Sequence, residues 1–476
     1  MSANANKLMA AANAAESVAA LVKRARAAQA IFDGYTQEQV DEVVTAAGWA
    51  IVKPENNELL AKLAVADTGL GNVPDKITKN RRKTMGLLRD LRGARSVGVI
   101  AEHPELGITE IARPVGVVAA VTPSTNPAAT PANKIINALK GRNAVILSPS
   151  PKGYSTSEKL LEFIHAELDR VGAPRDLVQQ LPAPVSKEAS AELMRQADLV
   201  VVTGSQNNVR AAYTCGTPAV GVGAGNVSVI VDETADLAGA AEKIMRSKTF
   251  DNATSCSSEN SVVIVEAVYG QMLAELARVG GVMLDAAEKH VLAEAMWPGG
   301  KLTTELIARS APEICARVGF NRPGMDRCRF LMVEEDGVGR ERPYSGEKLS
   351  PVMAVYRARD FDHAAQIVRS IYGYQGAGHS VGIHTARDER ARWLGLNLPV
   401  CRVIVNQAHC FANGGNFDNG LPFSLSMGCG TWGGNSTSDN VNYRHYLNIT
   451  RIARVIPPRE PTEDELFGAY RRKYGA

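Results

Sequence analysis

Several features that would narrow the function are missing from this sequence of 476 residues. No run approaches the roughly 18 uninterrupted apolar residues of a membrane-crossing helix, and the N-terminus lacks the apolar core of a secretory leader. The net charge is only +3 and no lysine or arginine block stands apart, so neither nucleic acid nor an anionic membrane surface is an expected partner. The cysteines (Cys215, Cys256, Cys315, Cys328, Cys401, Cys410, Cys429) are odd in number and show no Cys-x-x-Cys spacing. That argues against a disulfide framework or a metal site and for a reducing compartment, so the chain reads as cytoplasmic. No internal repeat is visible.

What is present is the composition of a globular protein, 45% apolar and 22% charged, in a chain too long for one ordinary core. Residues 1–47 are alanine-rich, with Val18, Leu21, Val22 and Ala25 at helical spacing. The first fifteen are either a frayed tail or a helix that docks to a partner or a compartment shell. Helical signals continue to Leu91, and the basic stretch Arg81–Arg95 reads as a solvated helix face. Val97–Ala101 and Ile108–Ala112 read as a hairpin. After it, short apolar strands at Gly116–Val121, Ala144–Leu147, Leu177–Gln180, Leu199–Val202 and Val227–Val231 alternate with helices, the pattern of a parallel α/β sheet. A second alternation starts at Leu237, with strands expected at Val262–Val265, Val352–Tyr356, Val381–His384 and Arg402–Val405. The expected division is a dinucleotide-binding domain at 1–232, carrying the arm hairpin 96–114, then a catalytic domain at 233–435. Residues 436–476 would supply an oligomerisation strand and a charged helical tail.

Four stretches stand at element ends. Cys256 lies in a polar segment, Lys248 to Ser258, that runs directly into the apolar strand Ser261–Val265. A thiol at a strand mouth among hydroxyls and amides is open to substrate, although it is also one of seven cysteines. Thr122-Pro123-Ser-Thr-Asn126-Pro127 follows a buried strand; Asn126 there is either an oxyanion donor or an ordinary Asn-Pro turn. Val202-Thr-Gly204-Ser205 ends a strand before a helix, where backbone can approach a ring or phosphate, or simply turn. Gly221-Val-Gly223-Ala-Gly225-Asn226 precedes a strand, so it is not the Rossmann fingerprint.

Together with Phe250–Ser261, Glu347-Lys-Leu-Ser-Pro351, Gly376-Ala-Gly-His379 and Gly428–Asn435, these stretches are collinear over residues 20–455. The chain resembles the aldehyde dehydrogenase superfamily and, within it, the CoA-acylating branch. The resemblance implies an α/β fold of two Rossmann-type domains with a small β arm. It makes Cys256 the nucleophile, Asn126 the oxyanion donor and His379 a group for proton transfer or loop support. Thr122, Pro123, Gly204, Ser205 and Gly223 would line the dinucleotide site, and Glu347 would hold its ribose. A thiohemiacetal and then a thioester would form on Cys256.

Hydrolytic members carry a glutamate in the stretch that here reads Val222–Asn226, and this sequence has no carboxylate there. Water, with a pKa of about 15.7, needs such a base, whereas a thiol near about 8.5 is partly ionised already. A CoA thiol as acceptor is therefore expected. Around Ser148-Pro-Ser150-Pro-Lys152 no acid grips a 2′-hydroxyl, and Ser150 and Lys152 could meet a 2′-phosphate, which leans to NADP with NAD possible. Thr254 and Ser255 precede the nucleophile and predict a polar pocket for a short anionic aldehyde. The glycine-rich segment Asn413–Gly430 is similar to that of members acting on sulfoacetaldehyde, with succinate semialdehyde or acetaldehyde as alternatives. The arm strands would pair across a homodimer or homotetramer.

Overall fold

The structure is a computed structural model that describes residues 3–223 and 225–475. Four helices open it: α1 (Ala3–Phe32), α2 (Gln37–Val52), α3 (Pro54–Thr68) and α4 (Val73–Leu91). Thr36 and Asn72 cap α2 and α4 through their side-chain oxygens, satisfying N–H groups that a helix start leaves free. Val18, Leu21, Val22 and Ala25 are buried in the first core, as their spacing predicts. The side chains of residues 1–12, which would decide between a frayed tail and a docking helix, lie outside the described ones.

The hairpin is β1 (Gly98–His103) and β2 (Ile108–Pro114). Next come β3 (Val117–Thr122), α5 (Ala129–Lys140), β4 (Ala144–Pro149), α6 (Tyr154–Arg170), β5 (Val178–Gln180), α7 (Lys187–Gln196), β6 (Leu199–Thr203), α8 (Gln206–Thr214) and β7 (Ala219–Val222). They form a parallel five-stranded sheet of order β5-β4-β3-β6-β7.

The second sheet is parallel and seven-stranded, ordered β10-β11-β12-β9-β8-β13-β14. Its strands are β8 (Val227–Val231), β9 (Glu259–Val265), β10 (Gly281–Met283), β11 (Phe330–Glu334), β12 (Val352–Ala358), β13 (Val381–His384) and β14 (Val403–Val405). Helix α9 (Leu237–Thr249) leads from β8 toward the Cys256 loop. Every residue of β3, β8 and β9 is buried, as parallel strands covered on both faces should be.

The structure departs from the sequence expectation in three ways. Strands β7, β10 and β11 are additional; each is only three to five residues long, too short for periodicity to separate strand from buried coil. Strand β8, expected to close the first domain, pairs with β9 and β13 in the second sheet. Sheet membership therefore puts the crossing between Val222 and Val227, ahead of Asp232. Finally, β15 (Leu447–Ala453) pairs with β2 of the same chain, from Leu447 opposite Pro114 to Ala453 opposite Ile108. The late strand thus completes a three-stranded arm within one molecule, and the outer edges of β1 and β15 are the open ones.

Candidate active site

The two sheets offer opposite edges to the site. In the first, the chain runs from β3 outward to β5, then returns to place β6 on the other side of β3, so strand order reverses beside β3. Ligands of open parallel sheets bind at the carboxyl ends of strands at such a reversal. Thr122 and Pro123 leave β3 there, Gly204 and Ser205 leave β6, and Ser150 and Lys152 follow β4. Ser205 accepts a hydrogen bond from Asn208 N–H at 3.3 Å and so starts α8. A Cβ on Gly204 would meet nothing closer than 3.5 Å, which leaves that backbone approachable. Lys152 is exposed.

One expected cofactor residue faces elsewhere. Ser148 is buried within β4, and its hydroxyl is 2.9 Å from that of Ser190 on α7; it faces away from the carboxyl edge because strand alternation turns it under the helix. Gly223 is half-buried, and a Cβ there would stand 3.1 Å from the end of the Gln206 side chain and 3.8 Å from the Gly433 carbonyl.

In the second sheet the amino ends carry the candidate catalytic groups. Val227 lies opposite Glu259, Val381 opposite Ser228 and Ala354 opposite Ser261. This register brings together the segments preceding four strands: Gly225–Asn226, Cys256–Ser258, Glu347–Ser350 and His379–Ser380. Cys256 sits in a turn closed by Ser258 N–H donating to the Ser255 carbonyl at 3.0 Å. Before it, Asp251, Asn252 and Ala253 all have left-handed backbone, with φ of 50°, 51° and 59°, conformations that cost energy outside glycine. The surroundings hold them there. Asp251 N–H donates to Asp75 at 2.7 Å, Asn72 N–H donates to Asp251 at 3.0 Å, and Asn252 donates to the Ala308 carbonyl at 3.2 Å. Gly225 lies against the turn so closely that a Cβ would be 2.3 Å from the Cys256 carbonyl oxygen. Close approach to the Cys256 turn is the physical need for this glycine.

Electrostatics keep the thiol neutral at rest. Burial pushes the half-buried Cys256 up to about 12, reinforced by Glu347, Cys429 and Cys410, with Ser257 pulling it down. Burial likewise pushes Glu347 up to about 8 against the pull of Lys348, Lys248 and the Gly225 N–H. Lys248 is pushed down to about 7 by burial, and its ammonium has no hydrogen-bond partner among the described residues. His379 is also buried. Its Nδ1 is 2.8 Å from the Ser380 hydroxyl, which is 2.8 Å from His409 Nε2. Burial, then Arg402, hold His379 down to about 3, so the imidazole is neutral at any working pH. No described contact joins it to Cys256; a His–Ser–His chain holds it ahead of β13, and its Nε2 has no hydrogen-bond partner among the described residues.

From the first sheet Asn126 reaches the same place. Lys79 Nζ donates to Asn126 Oδ1 at 2.8 Å, which fixes the carbonyl end of the amide and leaves its NH₂ end with only a 3.5 Å approach to Thr125. Asn126, Ser255 and Ser257 line one small cavity together with Lys79, Arg82, Lys83, Phe250 and Cys410. Thr254 does not share it. Its hydroxyl donates to Asp251 at 2.7 Å and accepts from Lys79 at 3.0 Å, so it belongs to the wall behind. Arg402 donates to Asn413 at 3.1 Å, and Asn413 to Ser257 at 3.0 Å, tying the glycine-rich segment to the turn.

The cations of α4 are the residues that sequence reasoning missed. Arg81, Arg89, Arg92 and Arg95 are exposed as expected, but Lys76, Lys79 and Lys83 are buried. Their spacing of three and four residues, which puts them on one face, was the available signal.

A model of the aldehyde dehydrogenase family matches residues 3–280. Sulfoacetaldehyde dehydrogenase (acylating) of Cupriavidus necator is 64% identical over 97% of this chain and 94% of its own. The Bilophila wadsworthia protein of the same name is 45% identical over 97% of this chain and 100% of its own. Among solved structures, an acetylating aldehyde dehydrogenase from Geobacillus thermoglucosidasius superposes with a TM-score of 0.90 at 34% identity, covering 95% of this chain and 99% of that one.

Proposed function

The chain belongs to the aldehyde dehydrogenase family, and we propose that it oxidises a short anionic aldehyde, sulfoacetaldehyde, to its CoA thioester, sulfoacetyl-CoA. The observation that carries this reading is the meeting of two sheet edges at one cavity, with Asn126 on one side and the serines flanking Cys256 on the other. The names and identities of the acylating relatives support the substrate. Cys256 Sγ attacks the aldehyde carbon, and the Asn126 NH₂ donates to the oxygen that becomes negative, forming a thiohemiacetal. Because the thiol rests protonated, its proton passes to solvent water as the bond to carbon forms.

A nicotinamide dinucleotide, when bound, supplies the hydride acceptor. Thr122, Pro123, Gly204 and Ser205 would hold it at the reversal point, with the start of α8 favouring its phosphates and Glu347 its ribose. Ser150 and Lys152 favour NADP, with NAD as the second choice. The acyl group is then carried as a thioester on Cys256. With no carboxylate between Val222 and Asn226 to activate water, CoA is the fitting acceptor. Succinate semialdehyde is the second reading, since the cations at the cavity suit a carboxylate as well as a sulfonate.

The test is a matrix of sulfoacetaldehyde, succinate semialdehyde and acetaldehyde against NADP⁺ and NAD⁺, with and without CoA. CoA-dependent reduction fastest with sulfoacetaldehyde is expected; a preference for acetaldehyde, or turnover indifferent to CoA, overturns the reading. The open outer edges of β1 and β15 support a homodimer or homotetramer, which light scattering would contradict by reporting a monomer at micromolar concentration. Seven free cysteines support a reducing, cytoplasmic setting.

A further inference from the structure

Helix α4 brings four cations to the site, Lys76, Lys79, Arg82 and Lys83, and one carboxylate answers only two of them. Asp251 pairs with Lys76 at 3.1 Å and with Lys79. Lys83 is buried and donates to the carbonyls of Gly414 at 2.7 Å and Ser424 at 3.4 Å. Arg82 donates to the carbonyls of Phe411 at 2.9 Å and Gly415 at 3.4 Å and to the Asn416 amide oxygen. Neither has a carboxylate within ion-pair distance among the described residues. The glycine-rich segment thus orients both cations through neutral oxygens; its one carboxylate, Asp418, acts on Arg82 from beyond ion-pair distance. A buried cation without a counter-charge is costly, and an arriving anion offsets that cost.

The geometry is specific to this loop. A Cβ on Gly414 would stand 2.7 Å from Lys83 Nζ, so glycine is needed for the carbonyl to reach the ammonium. The Arg82 guanidinium lies over the rings of Phe411 at 4.9 Å and Phe423 at 5.6 Å, which fixes its plane. Both cations open on the cavity that holds Asn126 and Ser255. One helical turn, about 6 Å along the axis, separates Lys79, which orients the oxyanion donor, from Lys83. That spacing suits a molecule whose charge lies two or three bonds from its carbonyl.

We propose that Arg82 and Lys83, with the Ser255 hydroxyl, form the subsite for the anionic head of the aldehyde and set the preference for charged over neutral short aldehydes. This rests on the reading that Cys256 oxidises an aldehyde. Guanidinium, ammonium and hydroxyl donors match the acceptor oxygens of a sulfonate.

The test compares kcat/KM for sulfoacetaldehyde and propionaldehyde in the parent, Lys83→Met and Lys83→Arg. The ratio of the two should fall about 10²-fold in Lys83→Met, the usual scale for removing one partner of a buried charge pair, and stay within about tenfold of the parent in Lys83→Arg. An unchanged ratio, or equal loss on both aldehydes in both variants, overturns the proposal. A second arm needs no turnover: ethanesulfonate should slow alkylation of Cys256 by iodoacetamide in the parent and fail to do so in Lys83→Met. If the parent oxidises no aldehyde with CoA, the functional reading fails, while protection by ethanesulfonate still upholds the anion subsite. Absence of protection in the parent removes the subsite.

Discussion

The two sheets of this molecule are both parallel and both buried, yet they meet the site by opposite ends. The five-stranded sheet presents carboxyl ends, where turns such as Gly204–Ser205 lead into helices and N–H groups are free to take phosphates. The seven-stranded sheet presents amino ends, where Cys256, Glu347 and His379 stand just ahead of β9, β12 and β13. An amino edge gives no helix dipole to an anion. It does give anchorage, because a strand buried in every residue begins at Glu259, shortly after the thiol, and a left-handed run clamped by Asp75 and Asn72 lies shortly before it. The edge with open backbone suits binding, and the edge that holds a side chain still suits covalent chemistry. Helix α4, which belongs to neither sheet, supplies the cations between them.

That division breaks most visibly at Cys256. In Cys256→Ala, aldehyde oxidation should drop to background while dinucleotide affinity, followed by fluorescence titration, stays within about twofold, since the thiol is the covalent group. Turnover near the parent rate would mean that the amino edge is not the reactive one. A smaller loss is expected across the cleft. Asn126→Ala should lower kcat by about 10²–10³, as removal of an oxyanion donor does; an effect on KM alone would return Asn126 to a binding role.

The third prediction concerns pH. Burial, then Arg82 and Lys79, push Lys83 down to about 7, while Cys410 and Cys256 pull it up. Below that value the ammonium is charged and attracts an anion; above it the charge is lost. The ratio of kcat/KM for sulfoacetaldehyde to that for propionaldehyde should therefore fall roughly tenfold between about pH 7 and 8.5, because kcat/KM reports groups of the free enzyme. A flat ratio would show that Lys83 does not titrate against the substrate. The smallest effect belongs to the outer rim of the carboxyl edge. Lys152→Ala should raise KM for NADP⁺ by about fivefold and leave NAD⁺ alone, the scale of an exposed ion pair; equal shifts for both would detach Lys152 from the 2′-phosphate.

The alternation of short apolar strands and helices was legible along the chain because buried parallel strands are nearly continuous apolar runs, as Val117–Val121 and Val262–Val265 are. Cys256 and Asn126 were legible for the related reason that polar residues abutting such runs stand at element ends. By contrast, Ser148 and Thr254 carried the right chemistry in the right stretch and still turned away, one toward Ser190 and the other toward Asp251. A hydroxyl's partner depends on which face of its segment is covered, and that is set by elements 42 residues away in one case and by α4 in the other.

By itself, then, the sequence determined the α/β class, the arm hairpin and the place of Cys256 at a strand mouth, all of which depend on local period and on neighbours in the chain. Tertiary structure decided that β8 joins the second sheet, that β15 closes the arm within one chain, and that Lys79, Arg82 and Lys83 enter the cavity. These rest on pairings between distant segments, where backbone hydrogen bonds and burial choose among partners that local composition leaves equivalent. A lysine on a helix face reads as solvated until another element covers that face. Here the cover is the glycine-rich segment some 330 residues further along, whose carbonyls receive Lys83 and whose Phe423 ring receives Arg82.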